Sequence, residues 1–146
     1  MILYVDTSAL VKRYVREARS DEVVALIEEA DAVGSTVLAQ VEMASTFAKA
    51  VRQGWVEQKS AQRAWHDFLG HWTSFTRLVI SAGVLERASS LAWEHGLRGY
   101  DAVHFASALI WQEAVAAPVQ LATFDRDLWT AAKNAGVEVW PQDISS

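Results

Sequence analysis

The chain has 146 residues, a hydrophobic fraction of 51% and a net charge of −5, enough for one core of ordinary size and too apolar for a disordered protein. Its lack of cysteine excludes disulfides, thiolate zinc sites and cysteine nucleophiles, and suits a reducing compartment. Charges break every apolar stretch well short of a membrane span, and the first residues read as a strand instead of a signal peptide, so the expectation is a cytoplasmic protein off the membrane.

In chain order, Ile2-Leu3-Tyr4-Val5 is a first strand ending at Asp6, and Thr7 or Ser8 caps a short helix through Tyr14. Ser20, Asp21 and Glu22 open a second helix carrying Val23, Val24, Leu26 and Ile27, and a short strand covers Ala32 to Thr36. A helix from Val37 to Arg52 stops near Gly54, and another, Ser60 to Trp72, sets Trp65, Phe68, Leu69 and Trp72 on one side. A strand over Arg77 to Ile80 precedes helices at Val84 to His95 and Tyr100 to Val115. The run Gln120-Leu121-Ala122-Thr123-Phe124 is a strand ending at Asp125, followed by a helix from Asp127 to Ala135 and a last strand up to Trp140. This alternation, without linker or repeat, predicts one α/β domain over residues 1–146 with a mostly parallel central sheet and helices on both faces. In such sheets ligands sit beyond the carboxyl ends of the strands, where Asp6 and Asp125 fall.

Asp6, Glu42, Asp101 and Asp125 stand where an acidic metal site needs them, after strands or on helices. Each has a plainer reading. Asp6 and Asp125 suit helix caps, and Asp101 suits the first turn of its helix through the macrodipole. Glu42 falls on a helical wheel with Ser45, Lys49 and Arg52, opposite Val41, Ala44, Phe47, Ala48 and Val51, which is where a solvated glutamate belongs. Its sharper reading has that polar face looking onto a wet cleft. Carboxylates about 4 Å apart repel by roughly 4 kcal/mol per pair at an effective dielectric of 20, so a gathered set calls for cations. An all-oxygen set without cysteine suits Mg²⁺ or Mn²⁺.

Four segments, in order, resemble the motifs of PIN-domain ribonucleases, and within them the small VapC toxins of type II toxin–antitoxin systems. They are Ile2 to Leu10 with Asp6-Thr7-Ser8, Ser35-Thr36 with Glu42 on the following helix, Arg98-Gly99-Tyr100-Asp101-Ala102-Val103-His104, and Thr123-Phe124-Asp125-Arg126-Asp127-Leu128. The resemblance spans nearly the whole chain. It implies a divalent-metal-dependent endoribonuclease whose catalytic, metal-binding acids fall on Asp6, Glu42, Asp101 and Asp125, with accessory hydroxyls at Ser8 or Thr7 and at Thr123. Asp127 competes for the fourth position, and Asp125 is favoured by its place at the strand end. An antitoxin protein and a homodimer are implied as partners.

An RNA substrate calls for cations around the acids, and Lys12, Arg13, Lys49, Arg52, Arg98 and Arg126 are the candidates for phosphate contacts, with Arg16 and Arg19 close by. Scattered solubilising charge accounts for part of this set equally well. His104 reads as a packed residue of an apolar helix in preference to a general base. Seven tryptophans, with Trp55, Trp65 and Trp72 prominent beside Phe68, exceed what the core obviously needs and suggest a partner surface. Three other classes stay open: a PIN-fold binding module without catalysis, a haloacid-dehalogenase-like phosphatase, which lacks the second acid it needs at Ser8, and a Toprim-like site, which expects glutamate where Asp6 stands.

Overall fold

The computed structural model describes residues 1–145, which alternate between strands and helices almost throughout. The elements are β1 (Ile2–Val5), α1 (Thr7–Leu10) with a 3₁₀ turn (Val11–Arg13), α2 (Ser20–Glu29), β2 (Ala32–Thr36), α3 (Leu38–Arg52), α4 (Gln58–Trp72) and β3 (Thr76–Leu78). Then come α5 (Ala82–His95), α6 (Gly99–Val115), β4 (Val119–Ala122), α7 (Arg126–Asn134) and β5 (Val139–Trp140). The five strands form one sheet in the order β3-β2-β1-β4-β5, and every pairing is parallel. Parallel neighbours require crossovers, which the helices supply on both faces.

Strand alternation sorts the core into two layers. Tyr4 faces one layer with Leu121, Phe105, Trp111 and Leu128, formed with α5, α6 and α7. Leu3 and Val5 face the other with Leu10, Met43, Phe47, Phe68 and Trp72, formed with α1 to α4. The chain leaves β1 for β2 on one side and later returns to β4 on the other, so β1 and β4 flank the point where the winding reverses. Just beyond it the Asp6 amide donates to the Ala122 carbonyl at 2.9 Å.

The buried stripe of α3 differs from the expected one. It is Ala39, Met43, Phe47 and Ala50, whereas Val41 is exposed and Ala44, Ala48 and Val51 line an open groove against α4. The wheel erred because the buried side of a helix is set by what packs against it, and no element covers Val41 or closes the groove beside Ala44, Ala48 and Val51 among the described residues. The proposed surplus of aromatic surface is also corrected, since Phe68 and Trp72 are buried core residues and the Trp72 indole donates to Gln40 Oε1 at 3.0 Å. Trp55 and Trp93 are the exposed tryptophans.

Gly34 in β2 is a steric requirement of this packing. A Cβ there would lie 2.8 Å from both the Thr76 carbonyl oxygen and the Trp111 ring, and the backbone oxygen is fixed by the sheet. Gly34→Ala should therefore destabilise the protein by about 1–3 kcal/mol, the usual cost of overpacking. Urea unfolding checks this, and an unchanged midpoint would contradict the packing described.

Candidate active site

Asp6 follows β1 at the N-cap position of α1, yet its carboxylate makes no cap hydrogen bond and is only 4% exposed. It turns to side chains instead. Ser8 Oγ donates to Asp6 Oδ2 at 2.7 Å and Thr123 Oγ1 to the same oxygen at 2.6 Å. The two hydroxyls lie 3.2 Å apart, and each also accepts a backbone N–H from the segment after β4, from Phe124 and Asp125 respectively. The end of β1 and the end of β4 are thus laced together through the acid.

The other oxygen, Asp6 Oδ1, lies 3.2 Å from His104 Nε2, which is 2.6 Å from Glu42 Oε1. His104 is fully buried on α6, and its Nδ1 pairs with the Tyr4 hydroxyl at 2.8 Å. That hydroxyl accepts the Thr36 N–H, so β1, β2, α3 and α6 meet at one imidazole. Thr7 Oγ1 donates to Glu42 Oε1 at 2.9 Å. Glu42 is consequently neither a freely solvated glutamate nor part of the buried stripe, and sits at its polar border.

A second pair of acids lies beside this one. Asp101, in the first turn of α6 and 3% exposed, accepts from Arg98 Nε at 2.9 Å. Asp125 accepts from Arg98 Nη2 at 2.8 Å through Oδ2, while its Oδ1 caps α7 by accepting the Leu128 N–H at 2.9 Å. One guanidinium bridges both acids. Burial first, then the charge of Asp125, push the Asp101 carboxyl above its usual range against the pull of Arg98, with Asp6 adding to the rise. Asp101 and His104 stand three apart on α6, which sets the two pairs of acids side by side.

Asp127 is exposed near Arg126, Thr130 and His95 and makes no hydrogen bond to the cluster among the described residues. The cations are more dispersed than expected. Lys12 is a brace with its side chain 13% exposed, binding the Ala18 carbonyl and Glu17 and lying over the Phe124 ring. Arg13 lies over Tyr14, Arg16 pairs with Asp21, and Arg19 pairs with Glu22. Lys49 stands over Trp55 and Arg52 lines the α3–α4 groove, so of the six phosphate candidates Arg98 alone bonds the acids. His104 is the site residue that sequence reading set aside. Its signal was Asp101 and His104 three apart on one helix, a spacing that shares a face.

The donor set suits a hard divalent ion in chemistry, being all carboxylate with hydroxyl support. Among the described residues no group of three His, Asp or Glu side chains is arranged to hold a metal ion directly. His104 engages one pair of acids and Arg98 the other, and Mg²⁺ retains several waters and takes only one or two carboxylates directly.

A family profile described as PIN domain matches residues 3–134. Ribonuclease VapC45 of Mycobacterium tuberculosis is 38% identical to this chain over 147 aligned residues, covering 98% of this chain and 97% of that protein. The crystal structure of PAE2754 from Pyrobaculum aerophilum superposes with a TM-score of 0.62 at 27% identity, covering 95% of this chain and 83% of that one. A toxin-antitoxin complex from Klebsiella pneumoniae contains a chain with the same fold, at a TM-score of 0.62 and 18% identity, covering 87% of this chain and 89% of its own.

Burial alone would push His104 down, but the charges of Asp6, Glu42 and Asp101, with the Glu42 hydrogen bond, outweigh it and lift the imidazole above its usual range. A group lifted by folding contributes stability that is full below its unfolded pKa of about 6.5 and is lost as pH rises through the folded value. The metal-free protein should therefore weaken as pH is raised from about 6.5, and His104→Gln, less stable throughout, should show a flatter dependence. Urea melts across that range decide it; equal slopes in both proteins would count against a charged His104.

Proposed function

The chain belongs to the PIN-domain family and to its VapC ribonuclease group, and we propose that it is a divalent-metal-dependent endoribonuclease acting as the toxin of a toxin–antitoxin pair. The observation that carries this reading is the convergence of four acids from four separate segments at the carboxyl edge of the sheet, around the point where its winding reverses. Folding gains nothing from such crowding, which makes a cation-dependent role the economical reason for it.

In this reading Asp6, Glu42, Asp101 and Asp125 hold Mg²⁺ or Mn²⁺, directly or through water. A bound ion would neutralise charge on a phosphoryl oxygen and lower the pKa of a water, the chemistry that phosphodiester hydrolysis needs. Ser8 and Thr123 fix the Asp6 carboxylate in direction, since both donate to one oxygen. His104 and Thr7 do the same for Glu42. Asp125 is held in place by capping α7. Arg98, with its side chain 60% exposed at the mouth of the cluster, is the first candidate for an RNA phosphate. Lys49, Arg52 and Arg126, which make no ion pair with the four acids among the described residues, are the further candidates.

The partner in this reading is an antitoxin whose apolar helix lies in the groove between α3 and α4, about 430 Å³, lined by Ala44, Phe47, Ala48, Val51, Ala61 and Trp65. The support is the apolar lining of that groove together with VapC membership. A homodimer is proposed with it, supported by Leu85 and Trp93 on one exposed face of α5, where Trp93 is 93% exposed. Among the described residues no helix is long and apolar enough to cross a membrane, and a cytoplasmic location is part of the same proposal.

A second reading, a PIN-fold binding module without catalysis, is favoured by one observation: His104 and Arg98 already engage all four acids. Cleavage separates the two. Asp6→Asn and Asp101→Asn should each abolish Mn²⁺-dependent cleavage of RNA. Saturating Mn²⁺ at about 100 times its dissociation constant should stabilise the unaltered protein by about 2.7 kcal/mol and leave Asp6→Asn nearly unmoved. A thermal melt indifferent to Mn²⁺, with no cleavage, supports the binding module.

Trp65→Ala, at the groove, should weaken a complex with the proposed antitoxin while leaving cleavage near normal. Trp72→Ala should instead destabilise the fold by about 3–5 kcal/mol, as truncation of a buried aromatic does. Sedimentation of the protein alone and with that partner measures both association and dimerisation; undiminished binding by Trp65→Ala discards the groove.

A further inference from the structure

The two basic side chains lodged among the acids, His104 and Arg98, differ in how they are held. His104 is fully buried and hydrogen-bonded through both ring nitrogens, to Tyr4 on one side and Glu42 on the other. It cannot leave without unpacking the junction of β1 and α6. Arg98 reaches the cluster from the residue before α6, with its side chain 60% exposed, and among the described residues its carboxylate partners are Asp101 and Asp125. An exposed ion pair contributes little stability because water and salt compete for both partners. The Arg98 ring contact is likewise external, with the guanidinium 5.0 Å from the centre of the exposed Tyr100 ring.

The geometry points to Arg98 as a built-in, displaceable counter-ion: its guanidinium bridges Asp101 and Asp125, and a divalent cation binding between those two acids would have to displace it. The inference rests on the proposed metal-dependent function. Two carboxylates held at hydrogen-bond distance from one guanidinium present their oxygens to a common point. Arginine carries its charge at every accessible pH, so the competition is set by metal concentration and not by protonation. A divalent ion brings twice the charge to the same oxygens, and the side chain can swing into solvent without disturbing the core.

The opposite role, in which Arg98 organises the acids for the metal, makes the reverse prediction, and this gives the test its sign. Mn²⁺ binding is measured on the whole purified chain without RNA, by calorimetry and by the electron paramagnetic resonance of free Mn²⁺. Arg98→Gln should bind Mn²⁺ about tenfold more tightly than the unaltered protein, because one competing positive charge is gone. Arg98→Lys keeps that charge and should bind close to the unaltered protein. Without metal, Arg98→Gln should melt at a lower temperature, and the difference should shrink as Mn²⁺ saturates. Equal or weaker Mn²⁺ binding by Arg98→Gln overturns the proposal while leaving the nuclease reading intact, whereas an unaltered protein that binds no Mn²⁺ overturns both.

Discussion

Carboxylates repel, and this chain gathers four of them at one sheet edge. Much of the local structure follows from how that repulsion is contained. The acids are divided into two pairs, each pair sharing one basic side chain: His104 between Asp6 and Glu42, Arg98 between Asp101 and Asp125. Hydroxyls do the remaining work, with Ser8 and Thr123 on Asp6 and Thr7 on Glu42. Desolvation would otherwise drive such groups to neutrality, as the raised pKa of Asp101 already shows in part. The two pairs of acids are equally withdrawn from water, and they differ in the partner they share: His104 is fully buried, whereas the Arg98 side chain is 60% exposed.

The site also shows why structural and functional readings of one residue need not compete. Asp125 is a helix cap through Oδ1 and a member of the acidic cluster through Oδ2. Capping fixes the carboxylate's rotamer, which is what a site residue requires. Asp101 sits in the first turn of α6, favourable to the helix dipole, and still belongs to the cluster. Asp6 is different. It stands at a cap position without capping, because Ser8 and Thr123 compete successfully for its carboxylate.

The surface charges form no broad cationic track among the described residues, so in the proposed reading RNA is steered locally. Lys12, Arg16 and Arg19 are engaged with neighbouring acids, and the overall charge is −5. Attraction to a phosphate chain must therefore come from the few cations near the acids, with metal supplying the rest in the proposed reading. The aromatic residues divide in a similar way. Tyr14, Phe47, Trp65, Phe68, Trp72 and Phe75 form one continuous chain of ring contacts joining α3 and α4 to the turn after α1. Trp55 and Trp93 lie outside it and exposed.

Sequence by itself determined the α/β class, the order of the elements and the four acids to examine. Periodicity and turn residues are local signals, and the alternation of short apolar runs with amphipathic helices admits few arrangements other than a parallel sheet. Family resemblance rested on short segments, also local. The structure moved the ends of several elements, beginning α4 at Gln58 and ending β4 at Ala122, so that Thr123 to Asp125 form a turn beyond the strand. Only the tertiary fold decided which cation meets which acid. His104 and Glu42 are 62 residues apart and Thr123 and Asp6 are 117 apart, and no local pattern encodes a contact across that separation. The fold likewise placed Phe68 and Trp72 inside and Trp93 outside, because burial depends on what packs against a helix face and not on the face alone. Glu42 is the clearest instance: its helical wheel was that of a solvated residue, and it became part of the cluster because α6 brings a buried histidine up to it.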